Sequence, residues 1–234
     1  MPYEALRRTV CRANRELAAT GLIALTFGNV SGVDRRAGVL AIKPSGVAYA
    51  DLRPADMVGV SLRSGRVVAG RLRPSSDTPT HLHLYRSFPD VGGIVHSHSL
   101  YATSWAQAGR PLPCFGTTHA DQFHGPVPVT RALTAAEIRG AYEHNTGVVI
   151  AEHFRKSRLD PHHMPAALVP GHGPFVWGAT VAAAVDNAVA LEAVARMALY
   201  ALQLRPGLRP IAPALLDKHF LRKHGAAAYY GQKG

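Results

Sequence analysis

The sequence contains few of the features that mark secreted and membrane proteins. Only 2 of its 234 residues are cysteines, Cys11 and Cys114, and they form no CxxC pattern. A disulfide framework is therefore not expected, and the reducing cytoplasm is the expected compartment. No apolar run approaches the roughly 20 residues that a membrane helix needs, and the N-terminus carries no apolar segment of signal-peptide length. We expect neither a membrane span nor a secretory signal.

Acidic and aromatic residues are scarce as well. The 15 Asp and Glu residues stand against 26 Lys and Arg residues, which gives a net charge of +11, and aromatic residues make up 7%. The basic residues are scattered singly or in pairs without a basic block, so nucleic-acid binding is not expected as the main function. A general positive field instead suits a small anionic substrate, such as a phosphorylated metabolite.

The length and the patterning predict one domain over residues 1–234. No internal repeat, low-complexity segment or linker divides the chain, and 47% of the residues are hydrophobic, enough for a sizeable core. Helices are predicted at 3–19, 100–109, 134–154 with a break at Gly147, 178–204 with an ion pair from Glu192 to Arg196, and 213–225. Strands are predicted at 22–34, 38–49, 57–62, 66–69, 92–95 and, as one strand, 166–178.

The chain is organised around the stretch 74–98, which ends in a His-x-His pattern. The preceding residues GGIV predict a buried strand, and residues i and i+2 of a strand point to the same face. His96 and His98 would therefore present two imidazoles side by side, which is half of a zinc-type ligand set. Upstream, Asp77 or Thr78 is a candidate helix N-cap, because the proline that follows suits a first turn. The same pattern also fits a capped helix followed by a strand with two polar residues.

A third histidine has a suitable local setting. His172 lies between two glycines, which let the backbone approach a ligand closely and leave the imidazole unobstructed. Three histidines with an open fourth position form the pattern of a catalytic zinc site. Spacing alone does not join His172 to the His-x-His pair, so it is a candidate only.

Two short polar segments are candidates for a phosphate site. Residues 43–46 read KPSG, where turn amides and a lysine suit a phosphate, although Pro-Ser-Gly is also an ordinary turn. Ser75 and Ser76 precede a predicted helix N-terminus, where free amides attract anions, with plain helix capping as the alternative. Gly28 and Asn29 interrupt a strand pattern, which indicates a bulge, a bend or close approach to a bound group.

Two further features lie in less regular parts of the chain. Asp121 stands in the polar, glycine-rich segment 114–130, which predicts an active-site loop between strands. Its carboxylate is either a general acid/base or an Asx-turn residue. Near the C-terminus, the adjacent Tyr229 and Tyr230 indicate that the tail docks on another surface, such as a neighbouring subunit.

Together these motifs resemble the class II aldolase/epimerase superfamily, and within it the L-ribulose-5-phosphate 4-epimerases. The resemblance runs from about residue 7 to the C-terminus, through TFGNVSGVD, IKPSGV, PSSDTPTH, GGIVHSHS, WAQAG, TTHAD, GHGPFVWG and LLDKHFLRKHGAAAYYGQ. It implies an α/β fold, a three-layer α/β/α domain around a central mixed, mostly antiparallel sheet. It also implies a divalent metal, usually zinc, and a homotetramer with active sites at subunit interfaces.

The resemblance further implies roles for individual residues. The metal ligands fall on His96, His98 and His172, with Asp77 as a further ligand or near-ligand. The substrate-binding positions are Ser45, Gly46, Ser75 and Ser76 for the phosphate, Gly28, Asn29 and Lys43 beside the phosphate and the reacting carbons, and His219 and Glu143 in support. The acid/base pair falls on Asp121 and Tyr230, which would reach a shared site from different subunits.

The implied reaction is the metal-dependent conversion of L-ribulose 5-phosphate to D-xylulose 5-phosphate, in arabinose catabolism or a related pentose or ascorbate route. Carbon 4 bears no acidic proton, so inversion needs retro-aldol cleavage, rotation of the aldehyde and re-addition, with a proton donor/acceptor on each face. The nearest alternative is a fuculose-phosphate-type aldolase, in which the position of Asp77 is normally glutamate. A non-catalytic metal- or anion-binding protein is a second alternative, and it would not need Asp121 or Tyr230.

Overall fold

The computed structural model describes residues 1–230 of the chain. The helices are α1 Glu4–Ala19, α2 Thr78–Ser87, α3 Leu100–Gln107, α4 Thr117–Ala120, α5 Ala135–Arg139, α6 Tyr142–Ser157, α7 Val181–Leu204 and α8 Pro213–His224, with 3-10 turns at Tyr49–Asp51 and Pro54–Asp56. The strands are β1 Asn29–Asp34, β2 Val39–Ile42, β3 Val58–Ser61, β4 Val67–Ala69, β5 Gly93–His96, β6 Ala166–Val169 and β7 Gly173–Gly178.

The strands form one 7-stranded sheet in the order β4-β3-β2-β1-β5-β7-β6. Every pair of neighbouring strands is antiparallel, and a parallel bridge outside these strands joins Val129 to Leu168. Helices α1, α3 and α7 pack on one face, while α2 and α6 pack together on the other. The predicted α/β/α fold with a mostly antiparallel sheet is therefore confirmed.

A row of glycines lets the N-terminus of α7 lie close against the sheet. The register places Gly32, Gly93 and Gly178 side by side on β1, β5 and β7. A Cβ atom on Gly93 would lie 2.5 Å from the Cα atom of Val181 and 2.8 Å from the carbonyl oxygen of Thr180. These neighbours are backbone atoms at the start of a long helix, so they cannot move aside cheaply.

We expect Gly93→Ala to lower the free energy of unfolding by about 3 kcal/mol, because an added methyl group overpacks this contact. Urea denaturation measures the change. Gly116→Ala is the matched control, because a Cβ atom there has no neighbour within 4 Å among the described residues, and its effect should stay within about 0.5 kcal/mol. Equal stability of the two variants would contradict the packing role of the glycine row.

Helix α2 is joined to the opposite face of the sheet by a buried polar network. The Oγ atom of Ser31 on β1 lies 2.7 Å from Nδ1 of His81 and 2.8 Å from the hydroxyl of Tyr85. The Nε2 atom of His81 has no hydrogen-bond partner among the described residues. Burial lowers the pKa of His81 to about 3, while the nearby Asp77 raises it and His96 lowers it further.

This shift predicts a pH dependence of stability. Below pH 6.5 the unfolded chain binds a proton at position 81, whereas the folded chain does so only near pH 3, so acid destabilises the fold. Between pH 7.5 and 5.5 the metal-free wild type should lose about 1.4 kcal/mol relative to His81→Gln. Urea denaturation of both proteins at the two pH values measures this difference. A constant gap would show that His81 titrates normally in the folded state.

Several sequence predictions need correction. Residues 22–28 are not a strand. Strand β1 begins at Asn29, which pairs with His96, the last residue of β5, so the residues before Asn29 lie beyond the end of β5. Residues 166–178 form a hairpin of two strands instead of one strand. The predicted helix over 134–154 breaks at Gly140, whereas Gly147 lies inside α6. A Cβ atom at position 147 would lie 2.8 Å from Cβ of His83, so this glycine permits close packing of α6 on α2.

The predicted ion pair between Glu192 and Arg196 is also absent from the described residues. The carboxylate of Glu192 instead accepts hydrogen bonds from the amides of Tyr101 and Ala102, at 2.8 and 2.9 Å, in the first turn of α3. Arg196 lies over the rings of Tyr101 and Tyr200. Free amides at a helix N-terminus attract a carboxylate, and this tertiary contact replaces the local pair. None of the helices in residues 1–230 combines the length and hydropathy needed to cross a bilayer.

Candidate active site

A cavity of about 370 Å³ lies where β1 begins and β5 ends. Its walls come from the segment before β1, the end of β2, the segment before α2, the end of β5, the first turn of α6 and the β6–β7 turn. The lining residues are Thr26, Phe27, Gly28, Asn29, Lys43, Pro44, Ser45, Gly46, Ser75, Ser76, Asp77, His96, His98, Tyr142, Glu143 and His172. The cavity thus brings together the sequence candidates from the first 172 residues, with the exception of Asp121.

Three histidines meet at one end of the cavity. His96 is the last residue of β5, His98 lies two residues beyond it, and His172 lies in the β6–β7 turn. One donor atom from each lies within 4.8 Å of the other two. Because β7 pairs with β5, with Phe175 opposite His96, the turn before β7 brings His172 to the end of β5.

The surroundings of these histidines suit metal binding. Nδ1 of His96 lies 2.9 Å from the carbonyl oxygen of Pro174, to which it donates a hydrogen bond, so Nε2 carries no proton in the neutral ring and lies 3.1 Å from Nε2 of His98. The Phe175 ring stacks on the His96 ring at a centroid distance of 4.2 Å. Burial lowers the pKa of His98 and lowers that of His172 to about 3, so both are neutral at physiological pH. Neutral imidazoles converging on one point fit a divalent metal such as zinc.

Asp77 lies beside this histidine cluster at the start of α2. It occupies the N-cap position, but its side chain does not cap the helix. Its Oδ2 atom instead accepts a hydrogen bond of 2.7 Å from Nδ2 of Asn29. Burial raises the pKa of Asp77, but His96, His81 and Asn29 outweigh it, and the pKa lies below its ordinary value. The cavity therefore has a carboxylate held in place next to the imidazoles.

The other end of the cavity is cationic and rich in hydroxyl groups. Lys43 is 2% exposed, and among the described residues its only hydrogen-bond acceptor is the carbonyl oxygen of Pro44, at 3.3 Å. No carboxylate pairs with it in the described part of the chain. Burial lowers the pKa of this lysine. Ser45, Gly46, Ser75 and Ser76 line the cavity with it, so this end suits an anion that accepts several hydrogen bonds.

The sequence reasoning missed several residues that line the cavity. Tyr142 lies within the helix predicted over 134–154 and is not among the sequence candidates, yet its hydroxyl lies 3.2 Å from Nδ1 of His172. Phe27 lies with its ring centroid 6.0 Å from that of His98, and Thr26 lines the same wall. The available signal for Tyr142 was its place two residues after Gly140, at the start of α6, because free amides at a helix N-terminus favour anionic ligands.

The remaining candidates lie in another part of the molecule. Asp121 accepts hydrogen bonds from Arg222, at 3.1 and 2.8 Å, and lies 3.1 Å from Nδ1 of His219. Partial burial raises the pKa of Asp121, but Arg222 and His219 outweigh it, and the pKa falls below its ordinary value. The Arg222 guanidinium also lies 4.7 Å from the ring centre of Tyr230. None of these four residues lines the cavity within the described residues of one chain.

The C-terminal tail is described as far as Tyr230, which is 58% exposed. Gly231 and Gln232 of the tail motif, and the last residues of the predicted domain, lie outside the described residues. Asp121 and Tyr230 both contact Arg222 of the same chain. Any site that combines them with the histidine cluster therefore requires a second chain or a rearrangement of the first.

Comparison with known proteins identifies relatives along the whole chain. Residues 8–199 match the family described as the class II aldolase and adducin N-terminal domain. The chain is 53% identical over 230 residues to proteins named L-ribulose-5-phosphate 4-epimerase UlaF from Salmonella paratyphi A and Salmonella typhi, covering 98% of this chain and 100% of theirs. An L-fuculose 1-phosphate aldolase structure superposes with a TM-score of 0.77 at 24% identity, over 94% of this chain and 96% of that one. An aldolase of the same name from Glaciozyma antarctica PI12 gives 0.74 at 21% identity, over 97% and 85%.

Proposed function

The chain belongs to the class II aldolase and adducin N-terminal domain family, and we propose that it interconverts L-ribulose 5-phosphate and D-xylulose 5-phosphate as a 4-epimerase. One observation carries this proposal, namely that a histidine cluster shares one cavity with a buried lysine that stands among serines and has no carboxylate partner within residues 1–230. The 53% identity to 4-epimerases over the full length supports this branch of the family.

The reaction requires a carbon–carbon bond to break and re-form. Carbon 4 of the substrate has no acidic proton, so cleavage between carbons 3 and 4 is the available route to inversion. It yields a dihydroxyacetone enediolate and glycolaldehyde phosphate. His96, His98 and His172 would hold a divalent metal, for which we propose zinc because imidazole suits it. When bound, this metal supplies Lewis-acid polarisation of the substrate carbonyl.

The lysine end of the cavity would hold the phosphate throughout the reaction. Lys43 supplies a buried charge, and the hydroxyl groups of Ser45, Ser75 and Ser76 can donate hydrogen bonds to phosphate oxygens. An anchored phosphate keeps the cleaved aldehyde in the cavity while its carbonyl group rotates and presents the opposite face. The new bond then forms on the opposite face, which inverts carbon 4.

Each face needs its own proton donor or acceptor at the carbon 4 oxygen. We propose Asp121 and Tyr230 for these roles, with His219 as a support that contacts Asp121. Both carry acid/base groups, and both lie outside the cavity of their own chain. Because both contact Arg222, we propose that one neighbouring subunit of a homotetramer presents them together to the histidine cluster. The resemblance described above instead implies that Asp121 and Tyr230 reach the shared site from different subunits, so the two arrangements are alternatives.

Asp77 distinguishes the epimerase from the aldolase alternative. The carboxylate of Asp77 is tied to Asn29 at 2.7 Å, and aspartate is one methylene shorter than the glutamate expected at this position in the aldolases. We propose that Asp77 serves as a further ligand or near-ligand of the metal instead of the base of an aldolase. Glu143, which lines the same wall as Tyr142, would support the substrate.

Phosphorus NMR of the zinc-loaded protein with L-ribulose 5-phosphate tests the function. The epimerase predicts accumulation of D-xylulose 5-phosphate, loss of turnover with a chelator and recovery with added metal. Glycolaldehyde phosphate released as a free product would indicate an aldolase. No change in the substrate would contradict the proposed substrate. We also propose that the protein acts in pentose breakdown, such as arabinose catabolism. A cytoplasmic location is part of the same proposal, and the free state of both cysteines is consistent with a reducing compartment.

A further inference from the structure

We infer that Tyr49 is a positioning residue for the phosphate end of the cavity, where its ring holds the ammonium group of Lys43 in place. Tyr49 begins a 3-10 turn and does not line the cavity itself. The Lys43 Nζ atom lies 4.7 Å from the centre of the Tyr49 ring, within the roughly 6 Å at which a cation is attracted to an aromatic face. This inference rests on the proposed phosphate site.

The burial of Lys43 explains why such a support is needed. An ammonium group has three donor hydrogens, yet the only acceptor for Lys43 in the described residues is one carbonyl oxygen at 3.3 Å. Removing a cation from water without a partner costs free energy. The negative face of the Tyr49 ring offsets part of that cost without offering a competing carboxylate. The lysine thus keeps its charge available for an incoming anion.

The hydroxyl group of Tyr49 fixes the ring. It donates a hydrogen bond of 2.7 Å to the carbonyl oxygen of Gly28, and burial raises the pKa of this phenol, as does the neighbouring Asp77. Gly28 has a φ of +108° and lies so close to the end of β5 that a Cβ atom would be 2.7 Å from the carbonyl oxygen of His96. The Tyr49 ring is therefore anchored to the residues before β1, which pack against the end of β5, where His96 lies.

Isothermal titration with inorganic phosphate tests this role without any turnover. Tyr49→Leu should raise the Kd for phosphate roughly tenfold, because it removes the aromatic face. Tyr49→Phe should change the Kd less than about threefold, because it keeps the ring. In steady-state kinetics with L-ribulose 5-phosphate, Tyr49→Leu should raise KM by a similar factor to the Kd, with a smaller change in kcat. Loss confined to thermal stability, with unchanged Kd and KM, would overturn the inference.

A second variant separates charge attraction from packing. Trifluorophenylalanine at position 49 has nearly the size of phenylalanine but a much weaker negative ring face. It should weaken phosphate binding several-fold relative to Tyr49→Phe while melting at a similar temperature. Equal phosphate affinity of the two aromatic variants would reduce Tyr49 to a packing residue and overturn the inference.

Lys43→Met provides the matching control, because it removes the charge and keeps much of the side-chain volume. Adding Tyr49→Leu to Lys43→Met should cause no further loss of phosphate affinity, and an additional tenfold loss would show that the ring acts elsewhere. No detectable phosphate binding by the wild type would overturn the inference together with its phosphate site. If the variants weaken phosphate binding as expected while L-ribulose 5-phosphate is not converted, the proposed function fails and the role of Tyr49 stands.

Discussion

Replacing His96 with asparagine is expected to remove bound metal and turnover together. His96 is the central member of the cluster, since its ring lies 4.9 Å from that of His98 and 4.7 Å from that of His172, centre to centre. Loss of a supporting residue outside the ligand set typically costs 10–100-fold in metal affinity, so loss of a ligand should cost at least about 100-fold. Metal analysis after dialysis, combined with the epimerase assay, measures both losses.

A second buried histidine provides the control for this substitution. His119 is 3% exposed, and its Nε2 atom lies 2.8 Å from the carbonyl oxygen of Gly125, away from the cluster. His119→Asn removes a buried imidazole as well and should leave the metal content at the wild-type level. If His96→Asn also binds metal at full stoichiometry, His96 is not a ligand and the metal site must be sought elsewhere.

Replacing Asp121 with asparagine or Tyr230 with phenylalanine is expected to lower kcat roughly 10²–10⁴-fold, the usual contribution of a general acid or base. Metal content should not change, because the proposed metal ligands are histidines and neither Asp121 nor Tyr230 is among them. The low pKa of Asp121, caused by Arg222 and His219 against the effect of burial, keeps its carboxylate ionised at neutral pH. Steady-state kinetics in both directions of the reaction measures these effects.

Neighbouring residues offer close controls for both substitutions. Tyr229 is 60% exposed, almost as much as Tyr230, so Tyr229→Phe should retain turnover within a few-fold. Asp217 pairs with His124 at 2.7 Å, and Asp217→Asn tests whether loss of any carboxylate in this region is harmful. Wild-type kcat in both Asp121→Asn and Tyr230→Phe would contradict their assignment as the acid/base pair.

Mixing inactive variants tests how the active site is shared between subunits. A hybrid site can combine the intact histidine cluster of a Tyr230→Phe chain with the intact tail of a His96→Asn chain. Random assembly in a ring would make about a quarter of the sites complete. Asp121→Asn mixed with Tyr230→Phe should regain nothing if one chain supplies both residues. Recovery in that second mixture would show that they come from different subunits.

The local patterns of the sequence determined more of the fold than of the site. Helices α1 and α7 follow from apolar periodicity, and strands β2, β3 and β5 from short β-branched runs, because burial of one face imposes a repeat on neighbouring residues. The pairing of His96 with His98 followed from the same kind of reasoning. The i, i+2 spacing brought the two Nε2 atoms to 3.1 Å of each other, although His98 lies just beyond the strand.

Glycine shows where local reasoning reached its limit. Gly147 and Gly140 are equally plausible helix breakers in the sequence, yet only Gly140 ends a helix. Gly147 lies inside α6, where Thr80 and His83 of α2 leave no room for a side chain. A glycine chosen for its conformation and one chosen for its small size look the same in a sequence. The distinction depends on a neighbour that is distant along the chain.

By itself, the sequence determined the positions of most helices and strands, the histidine pair and the polar segments around Lys43 and Ser75, because these depend on residues close together in the chain. Only the tertiary structure decided that His172 joins the pair, since strand order places β7 beside β5. The tertiary structure also decided that the Tyr49 ring faces the ammonium group of Lys43 and that Asp121 accepts hydrogen bonds from Arg222. These contacts depend on which distant segments become neighbours, and no local periodicity encodes that choice.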